Sequence, residues 1–208
     1  MIKYLIKFVS QKSHADMLVA GELFMRPASY YHKLELGQGD IREAWIIPSV
    51  QMYLNANIPM MCFYAVDETE VINGEIAVSS RCIDDFKCKD GYAVIICFSD
   101  FENRIRTLDT EGYTCCGGTI QYRLPELAEL EKFFKSDRYA NLFIKHPYYA
   151  YQKEYRIVVG KAVYHGTDAK KADSVIYQLP KDIKEICRVD KIRDHLSPDG
   201  NYTFPILN

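Results

Sequence analysis

The chain has no run approaching the ~18 consecutive apolar residues that a spanning helix needs. Its longest apolar run is Ala93 to Phe98. The first seven residues, Met1 to Lys7, are too short and too interrupted by lysine to read as a signal peptide. These absences predict no membrane partner and a cytoplasmic location. Charge of one sign is also lacking. A formal net charge of −2 and a pI near 6.2 leave no electrostatic footprint for wrapping duplex nucleic acid. Paired cysteine spacings are missing too: of the seven cysteines, only Cys115-Cys116 and Cys82-x5-Cys88 come near one another, and neither has zinc-ligand spacing. Cys62 and Cys97 lie in apolar runs and read as small core residues. The expectation is seven reduced thiols and no metal. The five histidines show no ligand spacing. No phosphate-binding G-x-x-x-x-G-K, G-x-G-x-x-G, H-E-x-x-H or G-x-S-x-G occurs, which argues against the commonest NTPases, dehydrogenases, metalloproteases and hydrolases.

What is present is ordinary globular material. In 208 residues, 48% are hydrophobic and 26% charged, enough to bury a core without staples. The chain reads as one domain over residues 1–208. Tyrosine is abundant, with 16 residues, clustered at Tyr30-Tyr31 and at Tyr148, Tyr149, Tyr151 and Tyr155. Two accounts fit: amphipathic rings filling strand faces, or a pocket that stacks a flat ligand ring.

The patterning predicts a mixed α+β fold with mostly antiparallel strands and a few short helices. Strands are expected at Tyr4–Val9, Leu23–Met25, Trp45–Val50, Met60–Val66, Tyr92–Phe98, Thr119–Arg123, Tyr151–Val159, Val175–Leu179, Glu185–Val189 and Tyr202–Ile206. Helices are expected at Gln11–Ala20, capped by Ser10 and stopped by Gly21, then at Ser29–Leu36, at Phe101–Thr110 and, most clearly, at Glu126–Lys135 after Pro125. Gly37 to Asp40 is a turn, and Asp67 to Gly74 a polar loop. The strands Tyr4–Val9, Tyr92–Phe98 and Tyr151–Val159 should share one sheet, with the Gln11–Ala20 helix packed on it.

Late in the chain, Gln152, Glu154 and Arg156 recur at period two. They would form one polar strand face, with Tyr155, Ile157 and Val159 on the other. Such a face on an edge strand is commonly just solvated. Glu154→Gln would then change stability by less than about 0.5 kcal/mol. Alternatively Glu154 looks into a cleft, and Arg156 holds its carboxylate or binds a ligand phosphate.

A Lys7-bearing first strand, a helix ending in glycine, the acidic loop of Asp40 and Glu43, the segment Cys97-Phe98-Ser99 and the late Glu154-x-Arg156 strand follow in order. This order resembles the ADP-ribosyltransferase superfamily, particularly the small DarT-like and RES-like bacterial toxins, together with a related bacterial and phage family. The resemblance covers Lys7 to Val159. It implies an ADP-ribosyltransferase-like fold that uses NAD as substrate and a macromolecule as acceptor, in host–phage conflict or toxicity. By the same resemblance Lys7 stands where the superfamily carries His or Arg, Tyr30 or Tyr31 supports the nicotinamide, and Glu154 is the catalytic carboxylate. Ser10, Ser99, Gln152 and Arg156 join Lys7 as expected NAD-binding positions. Loss of the Glu154 charge would then lower turnover by roughly 10²-fold. The alternative is a non-catalytic, phage-encoded binding protein of the same fold that inhibits a host or defence protein.

Overall fold

The first strand is apolar on both faces, apart from its lysines. A strand of that kind needs neighbours on both edges and layers above and below. β1 (Ile2–Val9) has them. It is followed by α1 (Lys12–Val19), β2 (Glu22–Pro27), the single turn α2 (Ala28–Tyr31), β3 (Pro59–Asp67), β4 (Val71–Ile72), β5 (Glu75–Val78), α3 (Ser80–Asp85), β6 (Tyr92–Cys97) and α4 (Phe98–Arg106). Then come β7 (Tyr113–Thr119), β8 (Gln121–Tyr122), β9 (Ile144–Lys145), β10 (Glu154–Lys161), β11 (Val175–Gln178), β12 (Cys187–Lys191) and β13 (Tyr202–Pro205). The computed structural model describes residues 1–31, 58–108, 113–124, 139–161 and 174–207. The expected strand Trp45–Val50, the helix Glu126–Lys135, the turn before Asp40, and Glu43 lie outside these residues.

Among the described residues, eight strands form one sheet in the order β11-β2-β3-β1-β6-β12, with β10 on β3 and β7 on β10. Every pairing in it is antiparallel. The fold is therefore mixed α/β, mostly antiparallel, with short helices. The three strands expected to share a sheet do so, and α1 packs on it through Ala15 and Leu18. One face of the sheet, carrying Leu5, Phe63, Val94, Ile96 and Ile157, packs under α1 and α4. The opposite face, carrying Tyr4, Ile6, Tyr64 and Ile95, packs on α3 and on a small sheet of β13, β5 and β4. Among the described residues no helix is long and apolar enough to cross a membrane.

Several boundaries differ from expectation, each for a local reason. Gln11, not Ser10, is the N-cap of α1, and no side chain caps it. α4 begins at Phe98 rather than Phe101, with Asp100 in its first turn and Arg104 and Arg106 in its last, both favourable to the helix dipole. The Thr119–Arg123 strand is split. Thr119 ends β7, and the Ile120 N–H turns to the Glu154 carbonyl at 2.9 Å. Tyr151 and Gln152 belong to a 3-10 helix, Pro147–Gln152, that Pro147 initiates. The chain enters β10 only after Lys153, which sits in the left-handed region at φ 41°.

Gly21 follows α1 with φ +84°, and its N–H donates to the Leu18 carbonyl at 2.9 Å. An added Cβ would meet the Lys181 carbonyl oxygen at 3.1 Å and Leu179 Cβ at 3.2 Å. Gly21→Ala is expected to destabilise the protein by about 1–2 kcal/mol in chemical denaturation. An unchanged midpoint would remove the left-handed stop from the account.

Candidate functional site

The site originates in a defect of strand pairing. β10 runs along one edge of β3, with Glu154 opposite Tyr64, Arg156 opposite Cys62 and Val158 opposite Met60. The other edge of β3 is shared. β1 takes Tyr64 to Asp67 and β2 takes Pro59 and Met60. Met61, Cys62 and Phe63 lie between the two partners, where the sheet splits. A cavity of about 430 Å³ opens there, within the usual range for small-molecule sites of roughly 300–1,000 Å³. The Lys7 ammonium reaches across the split and donates to the Cys62 carbonyl at 2.8 Å, where a neighbouring strand would otherwise place an N–H.

Six of the expected site residues line this cavity: Lys7, Ser10, Tyr30, Tyr31, Gln152 and Glu154. Arg156 stands directly behind Glu154. Ser99 does not line it. β6 runs antiparallel to β1, with Cys97 opposite Tyr4 and Tyr92 opposite Val9, so Ser99 emerges beyond the end of the sheet remote from Val9. Its hydroxyl lies 3.6 Å from the Cys97 sulfur. Asp40 and Glu43 fall outside the described residues.

The solvated reading of the late polar face does not hold. β10 is an interior strand between β3 and β7, and Glu154 and Arg156 are 5% and 1% exposed. Both Nε and Nη2 of Arg156 donate to Glu154 Oε1, at 3.0 and 2.6 Å. Nη1 donates to the Leu142 carbonyl. The Lys145 ammonium donates to Glu154 Oε2 at 3.1 Å and to Gln152 Oε1 at 2.9 Å. Gln152 thus joins the cluster from its 3-10 turn, not from the strand. The Glu154 N–H donates to the Tyr122 hydroxyl at 2.7 Å. Burial pushes the Glu154 carboxyl up, but Arg156 and Lys145, with the Cys62 thiol, outweigh it and hold the group well below the usual carboxylate range. Glu154 is thus ionised at ordinary pH and too weak a base to abstract protons. Burial pushes the Cys88 thiol in the cavity wall up to about 11, against the pull of Lys7. The Cys88 thiol therefore stays protonated at neutral pH.

Lys145, Tyr122 and Arg26 carry roles that sequence reasoning missed. Lys145 is 6% exposed and follows the apolar Leu142-Phe143-Ile144, where a lone lysine is a signal of burial with a partner. Arg26 lies over the Tyr30 ring at 3.9 Å and the Phe24 ring at 5.2 Å. The cavity thus offers aromatic surfaces beside cations, with Lys87 also on its wall and Glu22 as the second carboxylate. Such a surface suits a flat ring bearing anionic groups. None of the seven cysteines forms a disulfide. Among the described residues no group of His, Cys, Asp and Glu is placed to hold a metal ion. No protein-family model, curated protein or solved structure matches this chain.

Proposed function

We propose that the chain is an ADP-ribosyltransferase-like domain that binds NAD in the split of its sheet and transfers ADP-ribose to a macromolecule in host–phage conflict or toxicity. One observation carries this reading: Lys7, Tyr30, Tyr31, Gln152 and Glu154, far apart in sequence, line one cavity. The aromatic walls suit the rings of NAD, and Arg26 and Lys87 suit its phosphates. Glu154 supplies a fixed negative charge beside the glycosidic bond, whose cleavage develops a cation at the ribose carbon.

A second reading, binding without turnover, has its own support. Each Glu154 oxygen already accepts from a cation, so the carboxylate's charge is more than matched by Arg156 and Lys145. A site with surplus positive charge stabilises a developing cation weakly. On this reading the domain inhibits a host or defence protein. Calorimetric titration with NAD, paired with an assay for released nicotinamide and labelled acceptor, separates the two. Binding with release supports the transferase, and binding alone supports the inhibitor. No binding at millimolar NAD sinks the NAD reading altogether. Tyr30→Ala is expected to weaken NAD binding by roughly tenfold, the loss of one stacked ring. An unchanged Kd would remove Tyr30 from the site.

A further inference from the structure

Lys12, Lys145, Lys153 and Lys181 each pair with a carboxylate. Lys7 has no carboxylate within ion-pair distance among the described residues, although it stands in an interior strand. Its contacts are the Cys62 carbonyl at 2.8 Å and the Phe63 ring, with its centroid 5.7 Å away. Of the two carboxylates that line the cavity, Glu22 and Glu154, the latter is held by Arg156 and Lys145. Burial disfavours the Lys7 ammonium and shifts its pKa down, against the weaker opposing pull of Cys62, Cys88 and Glu154. A neutral amine keeps the bond to Cys62, since it still has N–H donors, and gains a lone pair. The cavity it lines carries further cations, Arg26 and Lys87, and the Phe8 ring stacked on Phe86 at 6.3 Å.

We propose that Lys7 is a nucleophilic amine that condenses with the carbonyl carbon of an anionic aldehyde, such as an open-chain sugar phosphate, to form a reversible imine in the cavity. The lone pair of Nζ attacks the carbonyl carbon, and one proton passes from the nitrogen to the former carbonyl oxygen. The resulting carbinolamine loses one water to give the C=N bond, so no oxidant or reductant is consumed. Apolar walls favour both the free amine and the loss of water. The cations direct the phosphate end of the ligand. This reactivity is independent of NAD turnover. A chain inert toward NAD still forms the adduct, and an active chain with unreactive Lys7 refutes this proposal alone.

The test is a time course of the full-length chain with pyridoxal 5′-phosphate at neutral pH, trapped with borohydride and mapped by peptide mass spectrometry. Lys7 is expected to be modified at least about tenfold faster than the exposed Lys12 and Lys181 of the same molecules. Inorganic phosphate in excess should slow Lys7 selectively. Labelling spread over surface lysines, with Lys7 no faster than Lys12, overturns the proposal. Lys7→Arg removes the nucleophile, so the fast adduct should vanish, and a melting curve checks that the variant folds. If that variant does not fold, the rate comparison within the parent chain still decides.

Discussion

Glu154→Gln is expected to lower the stability of the fold by about 3–5 kcal/mol, the cost of breaking a buried ion pair from one side. The reason is what remains. Arg156 and Lys145 are 1% and 6% exposed, and without the carboxylate they are two buried cations facing each other. A solvated strand residue would change stability by less than about 0.5 kcal/mol, so urea denaturation of the variant decides between these accounts. A loss below 1 kcal/mol would mean that water reaches the cluster. The same pair predicts a pH dependence. The folded-state pKa of Glu154 is lowered from 4.5, so its contribution is fully present above about pH 4.5 and is withdrawn as pH falls below it. Melting temperature should therefore drop on acidification below that value. Because this substitution threatens folding, its effect on activity is informative only beside a melting curve.

Gly91→Ala is expected to cost about 2–3 kcal/mol, the penalty of overpacking against atoms that cannot give way. A Cβ at Gly91 would stand 2.1 Å from the Val9 carbonyl oxygen and 3.0 Å from both the Cys88 carbonyl oxygen and Ser10 Cα. All three are backbone, and Gly91 is itself bonded to Cys88 and to Ile192. Relief requires moving the end of β1 away from β6. Val9, Ser10 and Cys88 line the cavity, so the same shift should weaken any ligand held there. Gly74→Ala is the contrast. Its φ is +80°, but an added Cβ meets nothing within 4 Å, and backbone strain of about 1 kcal/mol is all that remains. Equal losses at the two positions, measured by denaturation, would discount the steric argument at Gly91.

Strands buried on both faces were legible because their apolar runs repeat the environment they meet, as β1 and β6 do. The period of Glu154 and Arg156 was legible as well, and so was the possibility that Arg156 holds the carboxylate. Their burial was not, because it depends on β7 and β3 flanking β10 and on Lys145 arriving from a short strand with no strong pattern of its own. Gln152 was placed on the strand for want of the left-handed turn at Lys153, a backbone event that a lysine does not announce. β5 and α3 passed unread since β5 is a strand by virtue of β13, with Ile76 opposite Phe204. The cavity itself lay beyond reach. It follows from two strands sharing one edge of a third, which is a property of register and not of composition.

The partners in this sheet are distant along the chain. Glu22 pairs with Gln178, Tyr64 with Glu154 and Ile96 with Cys187. Each contact closes a long loop before it yields any stabilisation, which places the protein among slow folders, in the millisecond-to-second range or beyond. The order of synthesis sharpens this. Lys7, Tyr30 and Cys62 leave the ribosome well before the strand that completes their cavity. Until β10 arrives, one edge of β3 stays open to any passing strand. A nascent chain thus passes through a stage with exposed pairing groups and no binding site, and the ligand can select only the finished molecule.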